Sequence, residues 1–128
     1  MSPRRAAWLI GAGRAGLGLA IVVAPRQVTG RWLGRENVEQ PLVARLAMML
    51  GGRDLALGVA SLQTLDDPLA GPRVLTACAL VDAVDTLATV LARRAMPPAG
   101  ALAAALVGSA TAAGCLYCSR GLRASPAA

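Results

Sequence analysis

Residues 99–119 run without a single charged side chain, and the four residues before them, 95–98, are uncharged too. A stretch of that kind passes the length test for a membrane-spanning helix, which is about 18 uninterrupted residues. Three further segments share its character. Residues 6–24 are apolar apart from Arg14 and are closed by Pro25, since proline cannot continue a helix. Residues 42–63 follow Pro41, a residue suited to the first helical position, and carry only Arg45, Arg53 and Asp54 as charges. Residues 73–92 follow Gly71-Pro72, hold Asp82 and Asp85 in their interior, and end at Arg93-Arg94 before Pro97-Pro98 breaks the chain.

The competing arrangement is four amphipathic helices packed as a bundle in water. It lacks a polar face, because a solvent-facing helix of about 20 residues exposes several charges along one stripe. These segments hold one, three, three and no charges. The expectation is therefore all-α: a polytopic membrane four-helix bundle, with residues 1–128 as one membrane domain. Composition agrees, since charged residues make up 16% of the 128, against about 25% in soluble domains. Arg4-Arg5 ahead of the first apolar run has the look of a signal peptide. However, Pro25 would follow the cut and Arg14 interrupts the apolar region, so a retained first helix is expected.

All 13 basic residues are Arg, and the chain has no His and no Lys. That removes Schiff-base lysines, histidine-dependent triads, zinc sites and proton shuttles. The net charge of +6 does not point to nucleic acid, because the arginines are scattered between apolar stretches and share no face. The expected partner is the lipid bilayer, with a homo-oligomer or a larger membrane protein as the alternatives; no cofactor and no metal are expected. Counting arginines in the flanking loops gives five on each side of the membrane, a near tie that leans to an inside N-terminus.

The informative residues are Arg14, Arg53, Asp54, Asp82 and Asp85. At about 1.5 Å per residue each lies roughly 12 to 18 Å from its helix start, near the middle of a hydrocarbon layer about 30 Å thick. Insertion scales charge about 2.5 to 3.5 kcal/mol for each such group, so Arg53 and Asp54 cost about 5 to 7 kcal/mol together. The apolar residues of that helix, at about 0.3 to 0.6 kcal/mol each, only about offset the cost. The five groups must therefore face one another or line a hydrated cavity. Asp82 and Asp85, three apart, share a face, and Arg14 and Arg53 are their natural partners. Arg53 and Asp54 lie about 100° apart, so one is free to pair with the first helix and the other with the third. With three carboxylates against two guanidiniums, one carboxylate is expected to carry a proton, and Asp82 and Asp85 are the candidates. Such a cluster serves either as a proton-responsive or ligand-binding site or as a network that fixes helix register.

Gly100, Ala104, Gly108 and Ala112 form a ladder of small residues every fourth position, the spacing that lets helix backbones approach. The same spacing recurs at Gly11 to Ala15, Ala12 to Gly16, Gly16 to Ala20 and Ala47 to Gly51. Cys115 and Cys118 make a C-x-x-C, and Cys78 stands alone. Four helices with this motif are similar to the quinone-coupled thiol oxidases, but those need further relay cysteines. A C-x-x-C also gains its reactivity at a helix N-terminus, whereas this pair lies at a C-terminal end, so the candidate thiol pair reads as inert, buried cysteine. Trp8, Trp32 and Tyr117 fall near predicted boundaries, as interfacial anchors do. In the first connection, Val28, Trp32, Leu33 and Val38 suit a short interfacial helix with Arg26, Arg31 and Arg35 towards headgroups. Asp66-Asp67 reads as a solvated turn.

The stretch Gly13-Arg14-Ala15-Gly16-Leu17-Gly18 echoes Gly52-Arg53-Asp54-Leu55-Ala56-Leu57-Gly58 with one residue inserted. The G-G-R-D-L-A-L-G at residues 51–58, with G-R-x-x-L-G in the first helix ending at Ala24-Pro25, resembles a group of uncharacterised four-helix actinobacterial membrane proteins, remotely DoxX-like. The resemblance implies an integral membrane protein with no assigned reaction and no transferable site residues. The function expected is a non-enzymatic multi-pass protein of the bacterial plasma membrane, an accessory or assembly subunit or a small-ligand binder. The alternatives are a proton-coupled small transporter acting as a dimer and a thiol or quinone oxidoreductase using Cys115 and Cys118. Small multidrug-resistance exporters share the length and helix count, but they place an acidic residue in helix one, where this chain has Arg14.

Overall fold

The computed structural model describes residues 1–124, and the described residues are helical with no strand. Six α-helices follow in order: α1 Pro3–Val23, α2 Pro25–Leu33, α3 Arg35–Glu39, α4 Pro41–Gln63, α5 Ala70–Ala92 and, after a 3-10 turn at Arg93–Ala95, α6 Pro98–Ala124. Proline explains most of the starts. It lies at or next to the first helical position of α1, α2 and α4, where its missing N–H has no intrahelical acceptor to lose. Ser2 caps α1 by accepting from the Arg5 amide at 3.3 Å, so the helix begins ahead of residue 6. Arg120 to Ala124 contain no proline, and α6 continues through them, Gly121 included, past residue 119.

The first connection is not a loop. It folds into α2 and α3, separated by Gly34 at φ +91°, a value that favours glycine. Asn37 of α3 donates from Nδ2 to the carbonyls of Leu33 at 2.6 Å and Ala95 at 2.9 Å, which ties this connection to the 3-10 turn between α5 and α6. Trp32 is part of the same seam. Its backbone lies where a Cβ on Gly100 would come within 2.5 Å, so this tryptophan packs on α6.

The long helices form two tight antiparallel pairs, α1 with α4 and α5 with α6, and α1 also packs on α6. Between α4 and α5 the contact is slight. The α1–α4 pair depends on four glycines at heptad spacing. A Cβ on Gly58 would fall 2.5 Å from the Ala15 amide nitrogen and 2.7 Å from the Gly11 carbonyl oxygen; a Cβ on Gly51 would fall 2.8 Å from the Ile21 Cβ. Gly18 meets the Leu55 amide and the Gly51 carbonyl in the same way. The two helices therefore touch backbone to backbone about a local two-fold axis, which relates Gly11 to Gly51, Ala15 to Leu55 and Gly18 to Gly58. The four-residue spacing through Gly16 is not the contact, because a Cβ there has nothing within 4 Å.

Small residues are inside and large ones outside. The largest fully buried side chains are Leu75, Cys78, Cys115 and Cys118, and the core they form is completed by Ala6, Ala7, Ala79 and Leu65. Meanwhile Leu19, Met49, Leu80, Val84, Leu91 and Leu102 are exposed. Three helices, α1, α5 with its 3-10 turn, and α6, are long and apolar enough to cross a membrane; α4 is not among them. Its 23 residues are ample, but Arg53-Asp54 at its centre dilutes the apolar content. The hydroxyls carry their own partners. Thr29, Ser61, Thr64, Thr76, Thr86 and Thr111 each donate to the carbonyl four residues back at 2.7 to 2.9 Å, which removes the cost of an unsatisfied group in apolar surroundings.

Enlarging Gly18 or Gly58 to Ala should force α1 from α4 and destabilise the protein in detergent by about 1 to 3 kcal/mol, the usual cost of overpacking. Gly13→Ala and Gly52→Ala face open space and should be neutral or mildly stabilising, since alanine is the better helix former. Thermal melts of the four variants check both halves of this expectation.

Candidate functional site

The middle of the molecule holds a chain of charges. Arg14 of α1 binds both carboxylate oxygens of Asp82 on α5 and donates to Asp54 Oδ1 of α4 at 3.2 Å. Arg53 of α4 binds the Asp85 carboxylate of α5, with its Nη1 at 3.0 Å from Oδ1, and also reaches Asp54 Oδ1 at 3.3 Å. Five side chains from three helices thus join in the order Asp82, Arg14, Asp54, Arg53, Asp85. Helix periodicity explains the reach: Asp82 and Asp85 lie on one face of α5, while Arg53 and Asp54 diverge on α4.

The α1–α4 contact sets the centre of this chain. Arg14 and Asp54 are 40 residues apart, the same separation as the glycine pairs of the local two-fold. They occupy equivalent places on the two helices, and opposite charges meet at the closest approach. Arg53 is equivalent to Gly13 by the same relation, so it has no counterpart on α1 and turns to α5 instead.

Burial is uneven along the chain of charges. Arg14 and Asp82 retain 7% and 9% of their side-chain surface, whereas Arg53 and Asp85 retain 33% and 39%. The inner end lies between the two helix pairs, and the outer end lies in the slight α4–α5 contact. Arg53 Nε is buried there without an acceptor, the one such side-chain atom among the described residues; leaving a donor unmet costs about 1 to 3 kcal/mol. Two guanidiniums against three carboxylates leave one negative charge in excess. Asp82 and Asp85 each engage an arginine through both oxygens, while Asp54 is shared through one oxygen only.

The remaining sequence candidates fall elsewhere. Cys115 and Cys118 are free thiols with no exposed surface, as is Cys78 nearly so, whose sulfur lies 3.5 Å from the Ser61 hydroxyl. Disulfide exchange needs an accessible thiolate, and these sulfurs are enclosed. On α6, Gly100 abuts Trp32 and Gly108 abuts Thr86, with Ala104 and Ala112 partly buried on the same side. Trp8 and Tyr117 are exposed. Asp66 pairs with Arg4, and Asp67 accepts from the amides of Leu69 at 2.8 Å and Ala70 at 2.7 Å. No group of three metal-ligating side chains occurs among the described residues.

Two outcomes follow. Arg14→Gln leaves Asp82 buried without its counter-charge and should cost about 3 to 5 kcal/mol, whereas Arg14→Leu combined with Asp82→Leu should recover most of it, because an apolar pair needs no desolvation. Chemical unfolding in detergent reads the cycle. At the α5 entry, the Leu69 and Ala70 amides hold the Asp67 carboxyl below its usual range. The cap it provides is therefore complete above the unfolded carboxylate range and is lost as pH falls through the lower folded value. Asp67→Ala should speed hydrogen exchange at Leu69 and Ala70 at neutral pH.

Comparison with known proteins gives no match to a family model, a curated protein or a solved structure.

Proposed function

We propose that the chain is a four-span protein of the bacterial plasma membrane that catalyses no reaction and works as an accessory subunit, docking another transmembrane helix on the α4–α5 side. An outer surface of leucine, valine and methionine around an interior of glycine, alanine and cysteine supports the bilayer as solvent. In lipid there is little hydrophobic drive between helices, and small residues at contacts are what permit close packing. Inclusion of α4 as the fourth span is supported by its network, since charges met by opposite charges no longer bear the insertion cost of isolated ones. The resemblance of residues 51–58 to uncharacterised four-helix actinobacterial membrane proteins, remotely DoxX-like, belongs to the same proposal.

One observation carries the docking role: the Arg53–Asp85 pair is about a third exposed at mid-helix, with the exposed apolar side chains of Met49, one turn from Arg53 on α4, and Ala88, one turn from Asp85 on α5, on the same faces. A half-covered pair facing hydrocarbon is costly, so a polar group must meet it. The network's excess is negative, which selects a partner helix with one basic residue at that depth. A second copy of the chain would bring another negative excess and is disfavoured.

Photocrosslinkers at positions 49 and 88 in native membranes test this. The wild type should form a discrete adduct, and Asp85→Asn, which neutralises the excess, should lose most of it while still inserting. Adduct formation that is indifferent to Asp85→Asn would sink the reading. Proton-coupled transport is the second reading, favoured by the single-oxygen sharing of Asp54: a proton, in place of a partner, balances the charge. It requires proton uptake by the purified protein in liposomes that disappears in Asp54→Asn.

A further inference from the structure

At the end of the bundle where α1 runs into α2, an open, solvent-facing cavity of about 420 Å³ lies between the starts of α2 and α4, lined by the exposed Arg26, Gln27, Pro41, Arg45 and Met48 over Pro25 and the buried Ala44. Its polar wall is entirely electropositive or neutral. Arg26 and Arg45 supply two guanidiniums, Gln27 an amide, and no carboxylate lines it. Neither arginine has an ion-pair or hydrogen-bond partner among the described residues, in contrast to Arg4, Arg14 and Arg53. Neither helix start is neutralised from within: both lack a side-chain cap and an acidic residue in the first turn.

The cavity is also graded. Arg45 lies in the second turn of α4, and Met48 lies about 4 to 5 Å deeper along the axis at roughly 1.5 Å per residue. Positive charge thus stands at the rim, and apolar surface continues inward through Met48 towards the exposed Met49. A free anion has no use for the apolar floor. A cationic or zwitterionic group gains less from two unpaired guanidiniums, which favour doubly hydrogen-bonded phosphate oxygens.

We infer that this cavity holds the phosphate headgroup of an anionic phospholipid, with Arg26 and Arg45 on the phosphate and the acyl chain leaving over Met48. The inference rests on the bilayer reading but not on the partner helix. It gives the α2 connection a task, because α2 places Arg26 opposite Arg45. The surrounding rim reinforces it: residues 24–45 and 93–97 together contain six arginines and two glutamates, a net positive surface that favours anionic over zwitterionic headgroups.

The test uses the full chain in mild detergent with native mass spectrometry, adding phosphatidylglycerol, phosphatidylcholine or inorganic phosphate. Phosphatidylglycerol should be retained in preference to phosphatidylcholine, with one tightly held molecule per chain. Arg26→Gln with Arg45→Gln should weaken retention about 25-fold, since each interfacial arginine contributes about fivefold. Arg31→Gln with Arg35→Gln, an equal charge loss at the same end outside the cavity, should weaken it by less than fivefold. The proposal is overturned if the unmodified chain does not discriminate between the two lipids, if the control pair loses as much as the cavity pair, or if inorganic phosphate at equal concentration displaces the lipid. A chain that stays monodisperse without detergent would instead defeat the bilayer reading itself.

Discussion

Arg14 joins the two halves of the molecule. It belongs to the α1–α4 pair, yet its Nη2 donates to both carboxylate oxygens of Asp82 on the α5–α6 pair, while its Nη1 donates to Asp54. Because α4 and α5 touch so little, the ion pairs of Arg14 and Arg53 are the main link across that side. A planar, always-charged donor suits this, since lysine has one point charge to divide between two carboxylates. The position of Arg14 depends in turn on glycine: only where α1 and α4 approach backbone to backbone does its side chain sit opposite Asp54.

The proposed bilayer setting accounts for why such a network is tolerated and why it takes this form. In water, ion pairs near a surface contribute little, and an interior of alanine, glycine and cysteine has too little apolar volume to drive collapse. In hydrocarbon the balance changes. Packing between small residues supplies the contact energy, self-satisfied hydroxyls add no penalty, and a charge unmatched by its opposite becomes the most expensive feature on the helix. The inner pair, Arg14 and Asp82, meets that condition fully. The outer pair does not, and the orphaned Arg53 Nε marks where it falls short.

What the sequence discloses follows from which physical signals are local. The four long helices are legible because proline punctuates the chain and charge is confined to single turns; the shared depth of Arg14, Arg53, Asp54, Asp82 and Asp85 follows from rise per residue alone. The helical character of residues 25–39 is legible only in part, since the apolar spacing of Val28, Trp32 and Val38 suggests one interfacial helix, whereas Gly34 divides it into two and Trp32 is drawn against Gly100. The α1–α4 contact is hidden for a different reason. In a chain this rich in alanine, four-residue spacings of small residues are abundant, and the seven-residue spacing of Gly11 with Gly18 and of Gly51 with Gly58 is what an antiparallel pair with a shallow crossing needs. The echo between the two glycine-rich stretches aligns Arg14 with Arg53, but space aligns Arg14 with Asp54. A one-residue insertion turns a repeat of like charges into a complementary pair.

That same insertion separates two roles along the network. With Asp54 taking the place equivalent to Arg14, Arg53 is left without a symmetry mate and swings to the α4–α5 side, carrying Asp85 to the surface with it. The dry core of Ala7, Leu75, Cys78 and Cys115 lies on the far side of the charges from the α2–α4 rim. One half of the bundle is therefore closed by packing, while the other is held by ion pairs and by the α2–α3 connection. Interfaces held by directional charge accept a newcomer that supplies the missing charge, whereas closely packed alanine and cysteine accept almost nothing larger. If the molecule receives a partner or a lipid, the half beyond Arg14 is where its own chemistry leaves room.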